Sequence, residues 1–235
     1  MVRRRIRWGR MILAVVILTL LLTGFIWASR WFGWFAPAPL SAKEAEEKFG
    51  IERVLSPVDY NQNGIDDYTD ILLGARQDAQ NRPKYSAAYY NGGYPPEGEG
   101  CCADLVWRAF QNAGYSLKDL VDQDIAAHPE DYPATNGQPD PNIDFRRVRN
   151  LKVYFTKYAE SLTLDLNEIE QWQPGDIVTF DKPGHIGIVS DQRNQKGVPY
   201  LLHNAGQPNR EEDALGRYRI SGHFRFHGEN IERGS

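Results

Sequence analysis

Two thiols and two imidazoles are the most reactive set in this sequence. Cys101 and Cys102 are adjacent and are the only cysteines in 235 residues. Cysteine attacks as its thiolate, and a helix N-terminus favours that anion through partial positive charge and unpaired N–H groups. Cys102 opens the clearest amphipathic run in the chain, in which Leu105, Val106, Ala109, Phe110 and Ala113 share one face and Gly114 closes the helix. Cys102 heads that stripe and Cys101 lies one residue off it, so helical phase selects Cys102 as the nucleophile. A nucleophile needs a base within hydrogen-bond reach and a third group to orient that base. His185 begins the apolar segment 185–191, directly after Lys182, Pro183 and Gly184, and His203 closes the next apolar segment. A vicinal disulfide between Cys101 and Cys102 is the alternative state and would block attack. With no other cysteine there is no disulfide framework. His128, His223 and His227 have no motif around them and read as surface or structural.

A second constellation lies at 59–70. Asp59, Asn61, Asn63, Asp67 and Asp70 place oxygens at loop positions one, three, five, nine and twelve; Gly64 falls at the sharp turn and Ile65 offers its carbonyl. That spacing wraps hard oxygen ligands around one Ca²⁺ in a structural role. Asp66 and Asp70 depart from the usual EF-hand pattern, and the loop resembles the calcium loops of dockerins. The competing reading is an acidic turn that caps the next helix.

These residues need elements to hold them. Ser41 with Glu44 forms a capping box for a helix over 42–55. Periodicity predicts further helices over 70–81, 102–113, 117–127 and 147–160. Residues 83–100 and 128–144 are rich in Gly, Pro and polar residues and read as loops. Then the pattern changes: 175–180, 185–191, 199–204 and 219–226 are short and rich in β-branched residues, as strands are. Helices followed by a meander of strands predict an α+β fold with helices packed on a small antiparallel sheet.

The N-terminus is a separate matter. Arg3, Arg4, Arg5, Arg7 and Arg10 precede an uncharged apolar run, and Trp27, Trp31, Phe32, Trp34 and Phe35 follow it. This is the pattern of a single transmembrane signal-anchor over 11–29, with its basic flank in the cytoplasm and an aromatic belt at the outer interface. The expected organisation is a cytoplasmic segment 1–10, the anchor 11–29, a linker 30–42, a helical segment with the calcium loop 43–82, a catalytic domain 83–228 and a tail 229–235. A cleaved signal peptide, with Ala36, Ala38 and Ala42 near the cut, is the alternative. The chain carries −4 overall with five arginines in its first ten residues, leaving the remainder near −9. Phosphate binding needs a basic surface, so nucleic acid is excluded as a partner.

In order along the chain, Gly100–Phe110, Trp172–Asp191 and Leu201–Gly206 resemble the NlpC-like cell-wall cysteine peptidases of the papain superfamily. The similarity covers roughly 85–226. It is nearest to an uncharacterised branch marked by Cys-Thr-Asp at the helix start, Asp-Pro-Asn-Ile-Asp-His-Arg-Arg-Val in the middle and Gly-His-Ile-Gly-Ile-Val-Ser-Asp later. Here Ala103 replaces the Thr and Phe145 the His. The resemblance implies a papain-like domain with Cys102 as nucleophile, His185 as general base and His203 as its orienting partner. Tyr94 or Tyr90, Asp104, Asn204 and Arg146 are then the candidates for substrate and oxyanion contacts. Arg146, Arg147 and Asp144 read equally well as salt bridges tying down a long loop.

The chemistry implied is amide hydrolysis through an acyl-enzyme, needing no catalytic cofactor. On the outer face of a membrane the amide polymer within reach is peptidoglycan, cut as an amidase or endopeptidase. A non-catalytic wall-binding scaffold and an acyltransferase are the alternatives.

Overall fold

The computed structural model describes residues 8–32 and 38–230. Arg3, Arg4, Arg5 and Arg7, the belt residues Trp34 and Phe35, linker residues 33–37 and tail residues 231–235 lie outside the described residues. The chain divides into two units after Ala38. The first contains α1, Trp8–Phe32. Within it Met11–Ser29 is long and apolar enough to cross a membrane, as expected. At 1.5 Å per residue it spans about 28 Å, close to the hydrocarbon thickness. The Thr19 and Thr23 hydroxyls donate to the carbonyls of Val15 and Leu20 at 2.8 and 3.0 Å, which satisfies them without solvent.

The second unit joins the sheet at once, since Leu40 exchanges backbone hydrogen bonds with Arg193. Helix α2, Ala42–Phe49, has the predicted capping box, with Ser41 N–H donating to Glu44 Oε2 at 2.8 Å. It stops six residues short of the expected end because Gly50 adopts φ +69° and returns its N–H to Glu46. Helix α3, Asp67–Asn81, starts earlier than its periodicity suggests because Asp66 caps it. Strands β1, Lys84–Tyr85, and β2, Glu99–Gly100, form a short parallel pair inside the expected loop. Helices α4, Cys102–Asn112, and α5, Leu117–Ala127, follow as predicted. Helix α6, Val148–Tyr158, ends where β3, Ala159–Ser161, begins, a strand that the helical reading had absorbed.

The remaining strands are β4, Ile177–Asp181; β5, Gly184–Arg193; β6, Pro199–Leu202; β7, Glu211–Glu212; and β8, Ile220–Phe226. With β3 they make a six-stranded antiparallel sheet in the order β3-β8-β4-β5-β6-β7. The α+β expectation with a small antiparallel sheet therefore holds.

Alternation along the strands sorts the sheet into two faces. Ile177, Ile186, Ile188, Leu202 and Phe224 pack under the helices with Ile71, Leu105, Val106, Ala109 and Phe110. Val178, Phe180, Val189 and Leu201 form a rear cluster with Trp172 and Leu215. Two glycines fit where a side chain would not. A Cβ on Gly175, which has φ +92°, would lie 2.4 Å from the Tyr68 carbonyl oxygen. A Cβ on Gly187 would lie 2.7 Å from the Leu202 carbonyl oxygen and 3.1 Å from His203 Cβ.

Candidate functional site

The nucleophile's helix is fixed from its first turn. Cys101 is the N-cap of α4, and its N–H donates to Asp104 Oδ2 at 2.7 Å. Asp104 is fully buried, and its Oδ1 accepts the Trp107 indole N–H at 2.8 Å. Arg146 grips the same carboxylate with Nε and Nη2 at 2.8 and 2.9 Å, and its Nη1 donates to the Ala88 carbonyl. A buried carboxylate needs such a partner, because an unpaired charge is costly in low dielectric. Asp104 and Arg146 are thus turned inward to each other rather than toward a substrate. Arg147 likewise ties the loop, donating to the Ala134 carbonyl and to Asp144.

Both thiols are free and buried. They share a hydrogen bond, which pushes Cys102 well above the ordinary thiol range, with burial adding to the shift. The same bond pulls Cys101 down, against burial, and the Arg146 guanidinium helps. This corrects the expectation of a preformed Cys102 thiolate. The shared bond and burial disfavour the Cys102 thiolate, so a base is needed to take its proton. Cys102 shares a core cluster with Ile186, the residue after His185, whose backbone N–H acts on the thiol in the opposite sense and favours its anion.

Across β4–β5 His185 pairs with Phe180, so it begins on the rear face at the very end of the sheet. Its ring lies near Phe180 and Tyr218. Its Nε2 is 2.8 Å from Nδ1 of His203, which leaves Nδ1 as its second proton site. No hydrogen bond joins the Cys102 sulfur to His185 among the described residues; the strand brings them within one residue of each other. Burial, then the repulsion between the two rings when both are protonated, pushes His185 down to about 3, so it is a neutral imidazole at neutral pH.

The chain of contacts continues past His203, beyond what sequence reasoning found. His203 Nε2 is 3.1 Å from Glu212 Oε1, and Glu212 Oε2 is 2.7 Å from Arg217 Nη2. Tyr85 was also missed. Its hydroxyl is raised above its usual range by partial burial and then by the nearby Cys102 and Cys101. Gly206 lies against its Cβ. Tyr94, expected beside the thiols, instead packs on Trp107 and Phe145 at 4.8 and 5.4 Å between ring centres. Tyr90 bonds Ser86 and Glu99. Asn204 is fully buried and donates to the Gly100 carbonyl at 3.0 Å, so it anchors a loop and does not face a ligand.

In the 59–70 loop, Asp59 accepts the N–H groups of Asn63 and Gly64, at 3.1 and 2.8 Å. Asn61 and Asn63 both donate carboxamide N–H to Asp70 Oδ2, at 2.8 and 2.9 Å. Asp67 departs from its expected role: it is buried and accepts from Tyr60 N–H and the Tyr115 hydroxyl. Among the described residues no group of three or more His, Cys, Asp or Glu is placed to hold a metal ion.

Residues 72–226 match a family described as a domain of unknown function, DUF1287. Over 165 residues the chain is 37% identical to the uncharacterized protein YijF of Escherichia coli strain K12, an alignment covering 66% of this chain and 80% of that protein. No solved structure matches.

Proposed function

The chain belongs to the DUF1287 family, and from that starting point we propose that it is a membrane-anchored cysteine hydrolase of NlpC-like, papain-type design. Its substrate is an amide bond of an extracytoplasmic polymer, the peptide stem of peptidoglycan by preference. The observation that carries this reading is the meeting of α4 and β5. Cys102 and Ile186 share one core cluster, and the residue before Ile186, His185, is a buried neutral imidazole bonded to a second one.

The chemistry follows general-base lines. His185 Nδ1 takes the Cys102 thiol proton as the sulfur bonds to the amide carbonyl carbon. The first N–H of α4, Cys102's own, has no intrahelical acceptor and is available to the developing oxyanion. The imidazolium returns its proton to the leaving amine, and the C–N bond breaks. Water, deprotonated by the same imidazole, then releases the acid and restores the thiol.

A topology goes with this function: the arginine-rich start stays in the cytoplasm and the second unit lies outside. The 59–70 loop is assigned to structural Ca²⁺. Turning the Asn61 and Asn63 carboxamides would set their oxygens beside Asp70, at the loss of the Asn63 and Ile65 N–H groups those oxygens accept at 3.0 and 2.8 Å, with Asp59 and the Ile65 carbonyl completing the donors.

A scaffold that binds wall peptides without cutting them is the second reading. What favours it is the burial of both thiols and the protonated state of Cys102. Full-length protein in detergent micelles, incubated with purified peptidoglycan under reducing conditions with calcium, separates the two. New amine ends that vanish in Cys102→Ala support hydrolysis. Retained binding with no new ends supports the scaffold, and transfer to an added amine supports an acyltransferase.

A further inference from the structure

We propose that Glu212 is a positioning residue that fixes which nitrogen of His203 carries the proton, and thereby which nitrogen of His185 can accept one. This rests on the reading of Cys102 and His185 as nucleophile and base, and it names the group that keeps the base competent.

His203 is buried, and its Nε2 has two neighbours with opposite demands. Glu212 Oε1 lies 3.1 Å away, and so does the carboxamide nitrogen of Gln207. The Gln207 amide cannot turn over freely, because its oxygen accepts from Ala205 N–H at 2.7 Å and from Arg210 Nη1 at 3.1 Å. Its NH₂ therefore lies against the His203 ring, 3.1 Å from Nε2 and 3.5 Å from Nδ1, and favours a lone pair on the nearer nitrogen. A carboxylate only accepts, so Glu212 requires N–H on the same nitrogen.

The carboxylate prevails. A charge-assisted hydrogen bond is about twice as strong as a neutral one. Arg217 holds the other oxygen of Glu212, and the β6–β7 ladder places Glu212 opposite Leu201. Burial opposes ionisation of Glu212, but hydrogen bonds from His203 and Arg217 outweigh it and keep the carboxyl below its ordinary range. Gln207 keeps a second acceptor in the His203 carbonyl oxygen at 3.2 Å.

The consequence passes along the chain of rings. With its proton on Nε2, neutral His203 offers a lone pair at Nδ1. His185 Nε2, 2.8 Å away, must then donate. The lone pair of His185 is thereby on Nδ1, the nitrogen left for the Cys102 proton. Without Glu212, Gln207 donates to His203 Nε2, the His203 proton moves to Nδ1, and His185 accepts at Nε2. The His185 proton then sits on Nδ1 and the base is capped. No proton is gained or lost; two tautomers exchange.

Nitrogen-15 NMR of the histidine rings reads this directly in full-length protein in micelles. Iodoacetamide labelling of Cys102, resolved from Cys101 by peptide mass mapping, reads its effect. The wild type should show protonated Nε2 on both His203 and His185. Glu212→Ala should move both protons to Nδ1 and slow Cys102 labelling about tenfold or more, within the range of general-base effects. Glu212→Gln, which keeps an acceptor oxygen, should hold the wild-type tautomers and most of the rate. Glu212→Ala with Gln207→Met, lacking the competing donor, should recover part of it.

An unchanged His203 tautomer in Glu212→Ala overturns the proposal, as does a wild type with protonated Nδ1. Equal loss in Glu212→Ala and Glu212→Gln with constant tautomers shows a merely structural role and also overturns it. Failure of the underlying reading looks different: His185→Ala would then label Cys102 at the wild-type rate whatever the His203 tautomer.

Discussion

Two buried histidine centres lie on the same rear face of the sheet, and they are built to opposite ends. In one, both nitrogens of His223 face acceptor oxygens: Nε2 meets Asp176 Oδ2 at 2.9 Å and Nδ1 meets the Thr163 carbonyl at 2.8 Å. Its ring lies flat on Trp172, 3.8 Å between centres. Asp176 also takes a bidentate Arg225 and the Gln173 N–H. Every valence is closed. In the other centre, His185 bonds His203 alone among the described residues and keeps a nitrogen at the end of the sheet, next to Ile186, which shares a core cluster with Cys102. Burial and charge partners are common to both. What distinguishes the second centre is an unfilled hydrogen-bonding position on a buried imidazole, one strand residue from the cluster that holds Cys102.

The widest separation between the two centres should appear in chemistry. Cys102→Ala should lower amide cleavage by about 10⁴-fold or more while leaving the fold intact, since the nucleophile has no substitute. Fragment release from peptidoglycan with a circular dichroism control checks both halves; cleavage that persists in the variant breaks the distinction.

The rear centre should dominate stability. Asp176→Ala strands Arg225 and His223 in the interior and should cost about 3–5 kcal/mol, the range for breaking one side of a buried ion pair. Urea unfolding followed by tryptophan fluorescence measures it. A loss below about 1 kcal/mol would mean that the closed network is not what holds β4 to β8.

Acid should find the open centre. The unfolded chain protonates His185 near its ordinary 6.5, but the folded chain does so only near 3. Its contribution is therefore complete above pH 6.5 and is lost as the pH falls toward 3. By linkage this amounts to about 2 kcal/mol between pH 7 and pH 5. Thermal melts of wild type and His185→Gln should converge by that amount at pH 5, and parallel curves would contradict a buried neutral imidazole.

The smallest effect concerns neither centre. Calcium at about 10 mM should stabilise the folded state by about 1 kcal/mol if the 59–70 loop binds at the millimolar level of extracellular modules. Asn63→Ala should abolish the increment, and magnesium should not reproduce it. An identical melt with calcium or chelator removes the loop from the list of sites.

Much of this arrangement is readable from residue order. Helices α4, α5 and α6 and strands β4, β5, β6 and β8 carry strong periodicity, and their predicted limits come within a few residues. That periodicity also brought Cys102 to β5, because the apolar face it heads is the face that packs on Ile186 and Ile188. The partners were harder to read. Asp104 and Arg146 have the composition of a substrate clamp, and only the tertiary contact shows that each neutralises the other. One local signal was present: Asp104 stands three residues after Cys101, the spacing at which a side chain returns to the N-cap N–H. Glu212 and Tyr85 sit on strands of two residues, with no alternation to read. Tyr85 reaches the thiols because Lys84–Tyr85 pairs with the residues just before Cys101.

Gly187 shows how fine the margin is at the open centre. The two imidazoles meet across β5 and β6 at the rung where Gly187 faces the Leu202 carbonyl and the His203 side chain. One methyl there would act as a wedge, prising β6 outward where the rings touch. The 2.8 Å between them is in effect a clearance set by an atom that is missing. A sheet can bow by half an ångström and keep its strand order, but a proton path of single hydrogen bonds cannot stretch that far. Mechanical tolerance is therefore much tighter for the relay than for the fold that carries it.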